Sequence, residues 1–114
     1  MVPWSMAAPI PPFSGPEIPF LDNGSPVVSG KWEIIEEKPH WVWTFASGSQ
    51  QSANALEVAI DSSLHMGDRG MVLSLAEKKM IALYDYLKLP YEISSLKRQL
   101  ASWLAVNNDV LHLH

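Results

Sequence analysis

Two strand-like runs of side chains, the second with a strict period of two at residues 41–45, predict a β-hairpin over residues 31–46. In its second half, alternate positions place three aromatic rings on one face: Trp41, Trp43 and Phe45. In its first half, Trp32 and Ile34 share one face, and Lys38-Pro39-His40 predicts the turn between the strands. Because two strands alone are marginal in water, the aromatic face is expected to lie under a covering layer.

Helical spacing of apolar residues follows the hairpin and predicts three helices, over about residues 49–66, 75–88 and 91–106. The second is expected to begin at a capping box, in which Ser74 and Glu77 satisfy each other's backbone amides. Leu89-Pro90 ends it, because proline cannot continue a helix. The alternating tail after residue 109 is compatible with a short further strand. An α+β body over residues 31–114, with three helices packed on a hairpin, is therefore predicted.

Residues 1–30 differ in kind from this body and predict an extended, proline-rich arm. They hold seven of the chain's nine prolines, which forbid a helix or a central strand and favour polyproline-II segments. Glu17 and Asp22 are the arm's only charges, whereas solvated linkers are rich in charge and poor in aromatic residues. The arm is expected to end near the turn at Asn23-Gly24, with a second break at Ser29-Gly30.

Large apolar side chains recur along the arm, and an extended strip cannot bury them against itself. They must therefore lie on the arm's own domain or on another chain, and we expect an intermolecular clamp. Five tryptophans are also many for one small body to bury, and tryptophan is common at binding hot spots. The predicted partner-binding residues are therefore Trp4, Ile10, Phe13, Ile18 and Phe20 in the arm, with Trp41 and Trp43 in the hairpin.

Residue patterns for catalysis or cofactor binding are weak throughout the chain. The sequence has no cysteine, which excludes thiolate metal sites and cysteine nucleophiles. Gly67–Gly70 lacks the phosphate-loop pattern and reads as a helix–helix turn. The pair His112 and His114 has no third ligand at a fixed spacing, and Glu57 with Asp61 is typical of a solvated helix face. We therefore predict no catalytic residues, no cofactor, no metal and no small-molecule substrate.

The charge balance argues against nucleic acid as a partner. Eight basic and twelve acidic residues give a net charge of −4, the wrong sign for generic binding to phosphates. The last two helices could form a helix-turn-helix, but Lys97 and Arg98 are the only basic residues on its second helix. No apolar run is long enough to span a membrane. Because no Lys or Arg precedes Lys31, the sequence does not predict a signal peptide.

A small body with a long apolar arm is typical of proteins that attach to neighbours in large assemblies. The sequence therefore favours a non-enzymatic structural subunit, in a virion or the cytoplasm, whose partners are other protein subunits. By analogy of architecture, the leading hypothesis is a bacteriophage or other viral particle component: a minor capsid, cement or tail-connector protein. The alternatives are an accessory subunit of a cellular enzyme complex, a small inhibitor or adaptor of one protein, and a helix-turn-helix DNA binder.

Overall fold

A computed structural model describes residues 11–15, 25–107 and 109 of the chain. In those residues a three-stranded antiparallel sheet is followed by three α-helices, so the predicted α+β class is confirmed. The rest of the proline-rich arm and the predicted short strand in the tail lie outside the described residues. The strands are β1 (Val27–Ile35), β2 (Lys38–Phe45) and β3 (Gln50–Asn54). The helices are α1 (Ala55–Asp61), α2 (Arg69–Leu87) and α3 (Ile93–Val106), with a single 3₁₀ turn at Leu64–Met66.

The hairpin is present, but its turn lies two residues earlier than the sequence predicts. Ile35 pairs with Lys38, so Glu36 and Glu37 form the turn, with φ of 52° and 69°. Pro39, predicted to lie in the turn, is a buried residue of β2 opposite Ile34. The prediction failed because tight hairpins need positive φ at both turn residues, which normally calls for asparagine or glycine.

The sheet is also longer than predicted at both ends. β1 begins at Val27, so the predicted break at Ser29-Gly30 is wrong, and that region instead carries a shift of strand register after Val27. Residues 50–54, predicted as the start of a helix, form β3 and place Ala53 beside Trp41. The Asn54 side chain accepts a hydrogen bond from the Leu56 amide (2.9 Å), and this N-cap starts α1.

Helix α2 begins six residues before the predicted capping box. The Asp68 carboxylate accepts from the Met71 amide (3.1 Å) and is the true N-cap. Ser74 and Glu77 therefore lie inside the helix, and their predicted capping role is wrong. Gly67 (φ 76°) and Lys88 (φ 59°) take left-handed conformations that separate α2 from the elements on either side.

Two hydrophobic clusters form the interior. An aliphatic cluster lies among the helices and includes Leu83, Leu100 and Leu104, all essentially unexposed. An aromatic cluster lies on the inner face of the sheet and comprises Trp41, Trp43, Phe45, Ala53 and Val58. α1 joins the two, because Val58 belongs to the aromatic cluster while Ala55, Ala59 and Ile60 belong to the aliphatic one.

Candidate functional site

The predicted partner-binding residues divide into three groups in the structure. Trp4, Ile10, Ile18 and Phe20 lie outside the described residues. Trp41 and Trp43 are buried in the aromatic cluster, with 8% and 2% of their surface exposed, so neither presents a free ring to a partner in this arrangement. Phe13 is described, and it packs on the body of its own chain.

Residues 11–15, which we call the seated segment, lie on the sheet at a site built around two tryptophans. The Trp32 indole Nε1–H donates a hydrogen bond to the Phe13 carbonyl oxygen (2.8 Å). The Phe13 and Trp32 rings meet edge to face with centroids 5.1 Å apart, and Trp32 meets Trp41 in the same way at 5.2 Å. This ladder of rings is a favourable aromatic geometry, and the hydrogen bond fixes the segment along it.

Two glycines allow the backbone to approach the Trp41 indole closely. A Cβ at Gly15 would overlap the Cδ1 side of that ring, and a Cβ at Gly30 would lie 2.5 Å from its Cζ2 atom. Gly15 belongs to the seated segment and Gly30 to β1, so Trp41 is held between the two. Gly30, Trp32 and Trp41 together form what we call the aromatic groove, and it fits only a segment without a side chain at the position of Gly15.

One polar group in the groove is left without a partner. The Trp41 indole Nε1 is buried, and no hydrogen-bond acceptor reaches it in the described part of the chain. A buried donor without an acceptor costs about 1–3 kcal/mol, because its hydration is lost and not replaced. The groove therefore contains one hydrogen-bond donor, Trp41 Nε1, that the seated segment does not use.

Lys79 of α2 closes the groove on the helical side. Its Nζ donates to the Ser62 carbonyl oxygen (3.1 Å) and to Ser62 Oγ (2.8 Å), and it lies 5.8 Å from the centre of the Phe13 ring. Partial burial lowers the pKa of this ammonium group. Phe13 packs against both hydrophobic clusters, so the seated segment joins the sheet to the helices.

This arrangement is chemically suited to recognising proline-rich backbone. Aromatic-lined grooves bind such segments in several protein classes, because the fixed φ of proline lowers the entropy lost on binding. Here the seated sequence is Pro11-Pro12-Phe13-Ser14-Gly15, and the Trp32 indole N–H donates a hydrogen bond to its main chain. Sequence reasoning found Phe13 but missed Trp32, Gly15 and Gly30. A glycine inside a strand often marks a close approach by another group, which at Gly30 is the Trp41 ring, and that signal was available in the sequence.

A second concavity, of about 590 Å³, lies between the hairpin end of the sheet and the helices. Its charged residues are Lys38, Glu57 and Arg98, and its aromatic residues are Tyr84 and Trp103. The volume is that of a small-molecule pocket. Two of its polar lining side chains are engaged locally, since Asn54 caps α1 and Gln99 donates to Ser95 Oγ.

No protein family, characterised protein or solved structure matches this chain. Among residues 11–15, 25–107 and 109, no three His, Cys, Asp or Glu side chains come together as a metal site would require. The Nδ1 atom of His40 lies 3.0 Å from the carbonyl oxygen of Lys38, two residues earlier in β2. No helix within those residues has the length and apolar character to cross a bilayer.

Proposed function

We propose that this chain is a non-enzymatic structural subunit of a large protein assembly, attached to neighbouring subunits through its N-terminal arm. Among such assemblies we favour a bacteriophage or other viral particle, with the chain as a minor capsid, cement or tail-connector protein. The observation that supports this most is the aromatic groove, which takes a proline-rich segment through a main-chain hydrogen bond and an edge-to-face ring contact. A groove of this kind is recognition chemistry for chain segments rather than for a reaction.

Exposed apolar residues on the first strand support the same proposal. Val28, Ile34 and Ile35 are 62%, 48% and 37% exposed, and β1 is an edge strand in the described sheet. Edge strands with apolar side chains invite pairing with other chains unless they are covered. In an assembly subunit, such a surface is covered by a neighbour.

The helix-turn-helix alternative loses support from the charges on α3. Lys97 is paired with Glu77 of α2 (3.7 Å), and Arg98 lines the concavity beside the hairpin. The second helix therefore does not offer a row of free cations to a phosphate backbone, as major-groove binding requires. A cellular enzyme complex and a single inhibited protein remain the alternative settings for the arm.

The test is to sediment the epitope-tagged full chain in extracts of the cells that naturally produce it. An assembly subunit is expected to migrate with a particle far larger than its own 12.7 kDa. A variant lacking residues 1–26 is expected to migrate as the free chain, while Ser14→Ala, at an exposed position of the seated segment, should behave like the wild type.

The mass of the particle separates the alternatives. Migration with a single protein of ordinary size would support an inhibitor or adaptor instead. Migration of the full chain at its own mass would overturn the proposal. Near-ultraviolet circular dichroism of the deletion variant, which reports on tryptophan packing, shows whether any loss of migration comes from unfolding.

A further inference from the structure

We propose that the aromatic groove is an exchange site, which in the assembled state holds residues 11–15 of a second copy of this chain. This inference rests on the proposed function and names the partner of the same groove. The contacts described within one chain would then form between two, with Phe13 and Gly15 of one copy against Trp32 and Trp41 of the other.

The seated segment is held by side-chain packing and one hydrogen bond rather than by strand pairing, which makes it releasable. Trp32 supplies one hydrogen bond and one ring contact, and within the described residues no backbone ladder joins residues 11–15 to the sheet. Since every copy carries the same segment and the same groove, exchange replaces each contact with an identical one. Exchange therefore preserves the contacts that Phe13 and Gly15 make within one chain.

The sequence between the segment and the sheet has the length for exchange. Residues 16–24 separate Gly15 from the first described residue of the body, and they include Pro16 and Pro19. Nine residues can span about 30 Å when extended, enough to reach an adjacent subunit. Proline restricts the free chain, so less conformational entropy is lost when the segment docks on a neighbour.

The unpaired Trp41 Nε1 is the second observation that points to an intermolecular occupant. This donor is buried beside Gly15, yet the chain's own segment leaves it without an acceptor. A segment from another copy is not tethered to β1 of the same chain through residues 16–24. The residues that flank its Phe13 and Gly15 contacts can therefore place a carbonyl oxygen on Nε1 while those contacts stay as described, which removes the penalty of an unsatisfied donor.

The close fit of Gly15 against Trp41 restricts which segments can occupy the groove. Any side chain at the position of Gly15 would overlap Trp41, and an aromatic ring two positions earlier meets Trp32 and the Lys79 side of the groove. Pro11–Gly15 of this chain supplies that pattern, which makes a second copy the partner that fits.

The experiment detects transfer of the segment between full-length chains by nuclear magnetic resonance. One chain carries Ser14→Cys with a nitroxide spin label, at an exposed position in a protein without native cysteine. The other is ¹⁵N-labelled and carries Gly15→Val, which keeps its own segment out of the groove. Seating in trans should broaden the indole signals of Trp32 and Trp41 in the ¹⁵N chain more strongly than that of Trp103 on α3, which serves as the internal reference.

Two controls complete the design. Excess unlabelled wild-type chain should restore the broadened signals, because it competes for the groove. A spin label placed by Ser94→Cys, exposed on α3, should leave the Trp32 and Trp41 signals unchanged. If Gly15→Val does not fold, Phe13→Ala serves as the acceptor, since it removes the ring anchor without adding bulk.

Two results decide the matter. A downfield shift of the Trp41 indole proton together with the broadening would support the added hydrogen bond. The absence of broadening between chains at every concentration, when a singly labelled chain broadens its own Trp32, would overturn exchange. That second outcome would leave the sedimentation test intact, whereas exchange without a large particle in extracts would overturn the proposed function alone.

Discussion

The helical layer and the sheet bury their large apolar side chains in different ways. In the helical layer, leucines such as Leu83, Leu100 and Leu104 are enclosed by the helices themselves. In the sheet, the aromatic rings are covered from one direction by α1 and from another by the seated segment. A row of bulky rings on a small sheet therefore needs a cover from a distant part of the chain.

The two regions also differ in how far apart in the sequence their contacting residues lie. The helical layer is built from consecutive elements joined by short turns. The aromatic cluster depends on a hydrogen bond between Phe13 and Trp32, residues 19 apart in sequence. The arm is thus part of the fold on the sheet side. Its release is expected to loosen the packing of the sheet tryptophans before that of the helical layer.

The largest effect is expected for Trp43→Ala, because this ring is 2% exposed at the centre of the aromatic cluster. Large-to-small substitution of a buried aromatic residue costs about 3–5 kcal/mol of unfolding free energy. Leu100→Ala in the helical layer should cost about 2–5 kcal/mol. Urea titrations followed by circular dichroism measure both. A Trp43→Ala loss below 1 kcal/mol would show that the sheet cluster is loosely packed.

Phe13→Ala should have an intermediate effect, about 1–2 kcal/mol, because a half-buried ring and one aromatic pair are lost. The loss is expected to appear as a change in the tryptophan fluorescence spectrum as well as in the melting temperature. Ser14→Ala is the matched control, since Ser14 is exposed in the same segment. An unchanged melt for Phe13→Ala would mean that the sheet does not depend on the arm.

Asp68→Ala should cost about 1 kcal/mol by removing the N-cap of α2. Ser74→Ala, at an exposed position in the second turn of the same helix, should change stability by less than about 0.5 kcal/mol. Thermal melts of the two variants test where the helix begins. The opposite order of effects would restore the capping box predicted from the sequence.

The smallest effects concern alkaline pH, where two groups of α2, Tyr84 and Lys79 at the aromatic groove, should respond in opposite directions. Burial raises the pKa of the Tyr84 phenol above 10.0, so the unfolded chain loses this proton first and stability falls as pH rises through 10. Burial lowers the pKa of Lys79 below 10.5, so its contribution to stability rises with pH over the window up to 10.5.

Urea midpoints between pH 8 and pH 11, a window set by these reference values, separate the two groups. Tyr84→Phe should flatten the alkaline decline relative to the wild type, and Lys79→Met should steepen it. Parallel pH profiles for the two variants would contradict the assigned directions.

The sequence predicted elements where side-chain periodicity was strong and failed where backbone conformation decided. Trp41, Trp43 and Phe45 were placed on one face of a strand, and the end of α2 was placed within one residue. The position of the hairpin turn was missed because its two residues, Glu36 and Glu37, adopt positive φ, which is normally predicted only for glycine or asparagine. β3 was missed because Gln50–Asn54 carries little apolar pattern and is stabilised by pairing with β2.

For the candidate site, composition identified the arm and Phe13 but could not place them. The aromatic groove depends on which residues meet across 19–26 positions of sequence, since Gly15 lies on Trp41 and Phe13 on Trp32. Such long-range pairing leaves no periodic trace in the chain. The predicted clamp to a partner stays a prediction, now with a defined position in cis from which it would be released.

The left-handed glutamates at the hairpin turn have a consequence for the order of folding. Non-glycine residues at positive φ carry strain, and Glu36 and Glu37 also place two negative charges side by side. A hairpin with such a turn has little tendency to close by itself early, whereas the locally connected helices can form at once. The sheet is then expected to form late, on a helical layer already in place, with the arm as the last element to dock.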